Sequence, residues 1–213
     1  MKTLFQCDFD GTITLEDISF LILDAYGDKN WRRMFQEYKD GRISVGRFNT
    51  LAFATVKADK ETLLKLVKEK AELRPGLANL LECCRRKGIE FAIVSNGLDF
   101  YIRAILEDIG LENIRVFAAR TGFGSNGVEA RYLGPGDKEM EEGFKEAHLK
   151  MFQESGYRVI YAGNGTSDAP PALQACQIFA TGDLLAYFRK RKVACTPFDD
   201  LNDIANGLEL LPL

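Results

Sequence analysis

Asp8 and Asp10 stand two residues apart at the end of the apolar run Thr3–Phe9, and Gly11-Thr12 follow at once. Side chains two apart on a strand share a face, so these carboxylates can act on one ligand. Two further apolar runs end in a similar way. One stops at Ser95-Asn96-Gly97 and another at Gly163-Asn164-Gly165-Thr166-Ser167-Asp168. Brought together, Asp8, Asp10, Asn164 and Asp168 make an oxygen-rich set of the kind that suits Mg2+. Gly11, Gly97 and Gly165 carry no Cβ and let the main chain come close to an anionic ligand. A lone Asp-x-Asp pair reads as a solvated turn; three polar strand ends in series read as a site.

The elements that position these residues follow from hydrophobic periodicity. Thr3–Phe9 reads as a buried strand. In the block 15–74, Asp17 caps a helix that stops at Gly27, and helical patterns recur at Asn30–Lys39, Ser44–Ala54 and Lys60–Ala71. That block shows no strand pattern, so it reads as a helical insertion between 1–14 and 75–213. From Pro75 onward helices and strands alternate. Helix at 75–87, strand at Glu90–Val94, helix at Leu98–Ile109 and strand at Arg115–Ala118 precede a glycine-rich stretch at 120–134 that reads as a β-hairpin or a flap-like excursion. Then come a helix at Asp137–Glu154, a strand at Arg158–Ala162, a helix at Ala169–Ala175 and a strand at Gln177–Ala180. A helix at Asp183–Lys190, a short strand at Val193–Cys195 and a helix at Asp200–Leu208 close the chain. Such alternation predicts an α/β fold with a Rossmann-like, doubly wound parallel sheet. Ligands in such sheets bind beyond the carboxyl ends of the strands, where all three polar motifs fall.

In order along the chain, DFDGTIT at 8–14, VSNG at 94–97, a lysine, and Gly163-Asn164-x-x-x-Asp168 resemble the haloacid dehalogenase superfamily of phosphatases. The block 15–74 resembles the small helical cap of its phosphoserine phosphatase branch. The resemblance implies that Asp8 is a nucleophile forming an aspartyl-phosphate, and that Asp10 protonates the leaving alkoxide and then activates water. It implies that Ser95, the main chain of Asn96 and Gly97, and Lys145 hold the phosphoryl oxygens. It also implies a Mg2+ site built from Asp8, the Asp10 carbonyl and Asn164, with Asp168 positioning that shell. Lys145 is preferred over Lys138 and Lys150 on the same predicted helix because it lies 19 residues before Asn164, the spacing of one helix leading into the next strand. Phosphoryl transfer is mostly positioning plus charge neutralisation, which these residue types supply. The family pattern has Gly-Asp where this chain has Gly163-Asn164, so one negative charge is missing and Mg2+ affinity is expected to be lower. The cap implies substrate choice: Glu16, Asp17, Arg47 and Lys57 are its candidate polar contacts, while Phe20, Trp31, Phe35, Tyr38 and Phe53 read as its core. Where the phosphoserine branch carries a cap arginine, this register places Thr50, with Arg47 three residues earlier.

The 213 residues are 46% hydrophobic and 28% charged, with a formal net charge of -3. That composition excludes disorder and low-complexity arrays, and its balance points to no nucleic-acid or membrane partner. The expected ligand is a small phosphorylated metabolite, with the chain acting as a monomer or homodimer. No apolar run approaches the roughly 18 residues of a membrane span. Carboxylates at 8 and 10 occupy the place of a signal peptide's apolar stretch, so a cytoplasmic location is expected. Five cysteines form no framework, and a single histidine, His148, makes zinc a poor fit. No cysteine has an arginine six positions later, which excludes a cysteine phosphatase. Gly122–Gly127 matches G-x-G-x-x-G, but no helix pattern follows, so it reads as a hairpin turn. The expected function is Mg2+-dependent hydrolysis of a phosphomonoester. Phosphoserine hydrolysis and a catalytically silent phosphate-binding module stand as alternatives.

Overall fold

The computed structural model describes residues 2–212. The first strand, Lys2–Cys7 (β1), is buried from Thr3 onward, as a central parallel strand must be when helices cover both faces. After it come helices Ile18–Tyr26 (α1), Trp31–Lys39 (α2), Val45–Phe53 (α3) and Lys60–Lys70 (α4), with no strand among the described residues of that block. Local chemistry starts three of them. Asp17, Ser44 and Asp59 each accept a hydrogen bond from the main-chain N–H three residues on, at 3.1, 3.0 and 2.8 Å. A bridge between Thr14 and Leu73 closes the neck of the block.

Leu77–Arg86 (α5) leads into Ile89–Leu98 (β2), Asp99–Asp108 (α6), Arg115–Gly124 (β3) and Gly127–Arg131 (β4). Phe144–Glu154 (α7), Tyr157–Gly163 (β5), Ala169–Ala172 (α8), Gln177–Ala180 (β6), Gly182–Arg191 (α9), Thr196–Pro197 (β7) and Leu201–Glu209 (α10) follow. The described strands form one seven-stranded sheet in the order β4-β3-β2-β1-β5-β6-β7. All neighbours are parallel except β3 and β4. From β1 the chain winds outward through β2 and β3, then returns to β5 and winds the other way. The order therefore reverses between β1 and β5, and the crevice beyond their carboxyl ends is the expected ligand site. The doubly wound α/β reading holds.

Three expectations shift. The helix expected from Asp137 begins only at Phe144, because residues 133–140 double back on themselves around a 3-10 turn at Pro135–Asp137. Leu133 bridges Glu139, the Met140 N–H donates to the Tyr132 carbonyl at 2.9 Å, and Asp137 and Gly143 take left-handed φ values of 57° and 68°. The last strand is Thr196–Pro197 rather than Val193–Cys195, since left-handed Lys192 (φ 55°) turns the chain out of α9 and residues 193–195 bring it back to the sheet. A proline is tolerated there because β7 is an edge strand. Finally, β2 extends past Val94, but its pairing with β3 slips between Val94 and Leu98. The slip releases Ser95-Asn96-Gly97 from the regular ladder and frees their main-chain groups for other partners.

Gly122–Gly127 is the turn between β3 and β4, not the start of a helix. Gly127, at φ 107°, presses against the Ala54 carbonyl, where any Cβ would collide, so the hairpin docks on the helical block. His148 is buried with its ring 4.6 Å from that of Phe117 and 4.5 Å from that of Phe144, and burial depresses its pKa. It is a packing residue. All five cysteines are free thiols. No described helix is long and apolar enough to cross a membrane.

Candidate active site

The three polar strand ends meet as the topology requires. A cavity of about 360 Å3 beyond β1, β2 and β5 is lined by Asp8, Asp10, Ser95, Asn96, Gly97, Lys145 and Asn164, among others. At its floor the Lys145 Nζ lies 2.7 Å from Asp8 Oδ1 and 2.6 Å from Asp168 Oδ1, with the lysine side chain only 2% exposed. Lys145 sits on the first turn of α7, and Gln6 of β1 secures that turn by donating from Nε2 to the Lys145 carbonyl at 3.1 Å. Lys150, by contrast, is exposed beside Glu154.

Asp168 is fully buried and takes four donors. Its Oδ1 accepts from Lys145 and from the Tyr161 hydroxyl at 2.6 Å, and its Oδ2 from the N–H groups of Asn164 and Gly165 at 3.1 and 2.9 Å. These use up its acceptor sites, so Asp168 shapes the 164–165 loop and holds the lysine rather than reaching a ligand. Asp10 is held on both oxygens. Oδ1 accepts from the Ile18 N–H at the start of α1 (3.0 Å) and Oδ2 from the Tyr101 hydroxyl (2.6 Å), which also pairs with Ser19 Oγ at 2.9 Å. Gly97 is a glycine for a steric reason: a Cβ there would strike the Tyr101 hydroxyl and Asp10 Oδ2.

Charge in this site is unbalanced. Burial, then the charge of Asp168, pushes the Asp8 carboxyl up to about 7 despite Lys145. Burial and the charge of Asp17 push Asp10 up to about 8, and burial lifts Asp17 to about 6. Burial disfavours the Lys145 ammonium, but Asp168 and Asp8 outweigh it and hold the lysine charged. One buried cation thus faces three buried carboxylates, Asp8, Asp10 and Asp168. Such a set lacks positive charge, and its donors are all oxygen. Among the described residues no three His, Cys, Asp or Glu side chains converge as a metal cage. The cavity lining instead brings together the Asp8 and Asp10 carboxyls and the Asn164 amide, whose Oδ1 accepts from Thr12 Oγ1 at 3.3 Å. Few protein ligands, oxygen only, fit Mg2+, which keeps waters and shares substrate phosphates, better than a dedicated cage ion.

The helical block supplies the outer wall. Asp17 lines the cavity, together with Phe20, Phe35, Tyr38, Val45 and Phe48. Phe20, Phe35 and Tyr38 therefore serve as wall as well as core, whereas Trp31 and Phe53 are buried core. Glu16 and Arg47 lie outside. The Glu16 side chain is exposed while its carbonyl accepts from the Gly11 N–H at 3.1 Å. Arg47 is half exposed, 3.8 Å from Glu141. Phe48 and Asn49 are buried, and the preceding residue on a helix is turned about 100° away. Lys57 is also outside, bound to the carbonyls of Ala54 and Asn126 at 3.0 and 2.6 Å.

Sequence reasoning missed Tyr101, Tyr161, Tyr132, Asn49 and Arg74. Arg74 donates to the carbonyls of Gly11, Thr12 and Asp199 at 2.9, 2.9 and 2.6 Å and so pins the loop after Asp10. The available signal was a tyrosine in an otherwise apolar pattern, because a buried hydroxyl needs a partner.

The sequence pattern of haloacid dehalogenase-like hydrolases matches residues 5–172, and the chain belongs to that family. Several relatives carry phosphatase names. A protein of Bacillus mycoides (strain KBAB4), named 2-hydroxy-3-keto-5-methylthiopentenyl-1-phosphate phosphatase, is 23% identical over 210 residues, covering 96% of this chain and 95% of its own. The protein of the same name from Bacillus velezensis is 27% identical over 217 residues, covering 97% and 89%. A solved phospho-aspartyl intermediate analogue of phosphoserine phosphatase superposes with a TM-score of 0.73 at 19% identity, covering 97% and 98%. Phosphoserine phosphatase from T. onnurineus gives 0.70 at 18%, covering 100% and 96%. These structural likenesses establish a shared fold.

Proposed function

We propose that the protein is a Mg2+-dependent phosphomonoester hydrolase working through an aspartyl-phosphate on Asp8, with residues 15–74 as the cap over its site. The observation that carries this reading is the buried Asp8–Lys145–Asp168 chain on the cavity floor, beside Asp10. A carboxylate oxygen of Asp8 attacks phosphorus and the bond to the leaving oxygen breaks, while Asp10 gives that oxygen its proton. A water then attacks the acyl phosphate, Asp10 takes the water's proton, and the P–O bond to Asp8 breaks to free phosphate. Lys145 and the Ser95–Gly97 loop hold the phosphoryl oxygens, and splitting the displacement lowers each barrier. The Asp8 carboxylate, the Asp10 carbonyl and Asn164 Oδ1 would hold Mg2+, which supplies the charge that lets an anionic nucleophile meet an anionic phosphate.

The substrate supported best is 2-hydroxy-3-keto-5-methylthiopentenyl-1-phosphate, the compound in the relatives' names. The wall of Phe20, Phe35, Tyr38, Val45 and Phe48 suits an apolar tail. A phosphoserine carboxylate finds less here: Lys39, at the rim, is paired with Asp183 at 2.9 Å, and Arg47 points elsewhere. Phosphate release from this compound, phosphoserine and sugar phosphates, with and without Mg2+, tests the reading. Mg2+-dependent turnover favouring the apolar-tailed ester is expected; release from phosphoserine above the others would overturn the substrate assignment.

Two variants probe the machinery. Asn164→Asp restores a charged ligand and is expected to tighten Mg2+ binding about tenfold in calorimetric titration. An unchanged Kd would remove Asn164 from the metal site. Tyr101→Phe deletes one hydroxyl from Asp10 Oδ2 and is expected to lower kcat about tenfold with KM little changed. Wild-type kcat in that variant would show that Asp10 needs no support from α6.

A further inference from the structure

The main chain of the phosphate loop is gripped by the helical block. Asn49 of α3 is 5% exposed, and its Nδ2 donates both to the Asn96 carbonyl at 2.8 Å and to the Tyr132 hydroxyl at 2.7 Å. The Tyr132 hydroxyl, just beyond β4, donates to the same Asn96 carbonyl. A carbonyl oxygen has two lone pairs, and here both have a donor. In a trans peptide the carbonyl and the following N–H point in opposite directions. Fixing the Asn96 oxygen therefore fixes the Gly97 N–H away from α3, where it donates to Ser95 Oγ at 2.9 Å. Ser95, thus held on its oxygen, keeps its hydroxyl hydrogen for the cavity side, where Asp10 Oδ2 lies at 3.5 Å.

We infer that Asn49 and Tyr132 are positioning residues for the phosphate loop, and that α3 must be seated for the Gly97 N–H to hold Ser95 so that its hydroxyl is presented to a phosphoryl group. The inference rests on the reading of Ser95–Gly97 as a phosphate-binding loop. It also runs in reverse: a coupling between two sites is reciprocal, so phosphate in the loop strengthens the hold on α3. The neighbouring tie from α3, Thr50 Oγ1 to the Ala130 carbonyl at 3.3 Å, touches the hairpin without touching Asn96 and provides a control.

The test uses the full chain with Mg2+ and inorganic phosphate, so no turnover is needed. Asn49→Ala and Tyr132→Phe are each expected to weaken phosphate binding about tenfold by calorimetry, as loss of a buried hydrogen-bond partner does. The double variant should lose little more than either single one, because both act on one carbonyl. Thr50→Val is expected to stay within about twofold of wild type. In wild type, saturating phosphate should slow amide hydrogen exchange in α3, and in Tyr132→Phe it should not. Tyr132→Phe removes one hydroxyl, and its thermal melt shows whether it folds as wild type does. Unchanged phosphate affinity in both single variants overturns the inference alone, as does an equal loss in Thr50→Val, which would mean general loosening. Failure of the wild-type protein to bind phosphate overturns the phosphate-loop reading together with it.

Discussion

Asp8→Asn is expected to lower phosphate release by about a thousandfold or more, the scale seen when a covalent nucleophile is removed. An amide nitrogen or oxygen in that place carries no charge and cannot form the acyl phosphate, while the side chain keeps its shape. Lys145 retains Asp168 at 2.6 Å, so the floor of the site stays assembled. The fold should survive because one fewer buried carboxylate competes for the same ammonium. Steady-state phosphate release and a thermal melt, run on the same preparation, check both halves. Turnover within tenfold of wild type, in a folded variant, would assign the chemistry to a group other than Asp8.

Lys145→Ala should damage stability as well as activity. It removes the cation that bridges two buried carboxylates, Asp8 and Asp168, and among the described residues leaves both without an ion-pair partner. Breaking a buried ion pair from one side costs about 3–5 kcal/mol, a large share of the 5–15 kcal/mol that holds a domain together. For a chain of this size that loss lowers Tm on the order of 10 °C. The exposed Lys150→Ala, which disturbs only a 3.8 Å surface pair with Glu154, should leave the melt nearly unchanged. Equal melts for the two variants would show that Lys145 is not the buried counter-ion of the site.

The same three lysines show how far the sequence could be read. Lys138, Lys150 and Lys145 all fell on one predicted helix, and only a spacing argument preferred the last. In the structure Lys138 lies outside that helix, in the segment 133–140 that doubles back around a 3-10 turn at Pro135–Asp137. A local pattern cannot report that pairing, because the partners of residues 139 and 140 lie at 133 and 132, outside any helical register. Arg47 is a similar case. Its proximity to the family's cap arginine was visible, but a turn of about 100° per residue along α3 decides whether it meets the cavity or Glu141.

Read by itself, the sequence determined the alternation of strands and helices, the helical block at 15–74, and the three polar strand ends. These are legible because each is a local pattern: an apolar period, a capping residue, a polar group directly after a buried run. The parallel, doubly wound order followed from that alternation, and with it the convergence of Asp8, Asp10, Ser95 and Asn164. What only the tertiary structure decided is how those groups are held. Tyr101 reaches Asp10 across 91 positions, Tyr132 reaches Asn96 across 36, and Lys145 reaches Asp168 across 23. A buried hydroxyl or ammonium must find a partner, but which one depends on where packing brings the elements together. That choice is made by the sheet order and by the docking of α3 and α7, not by any neighbour in the chain.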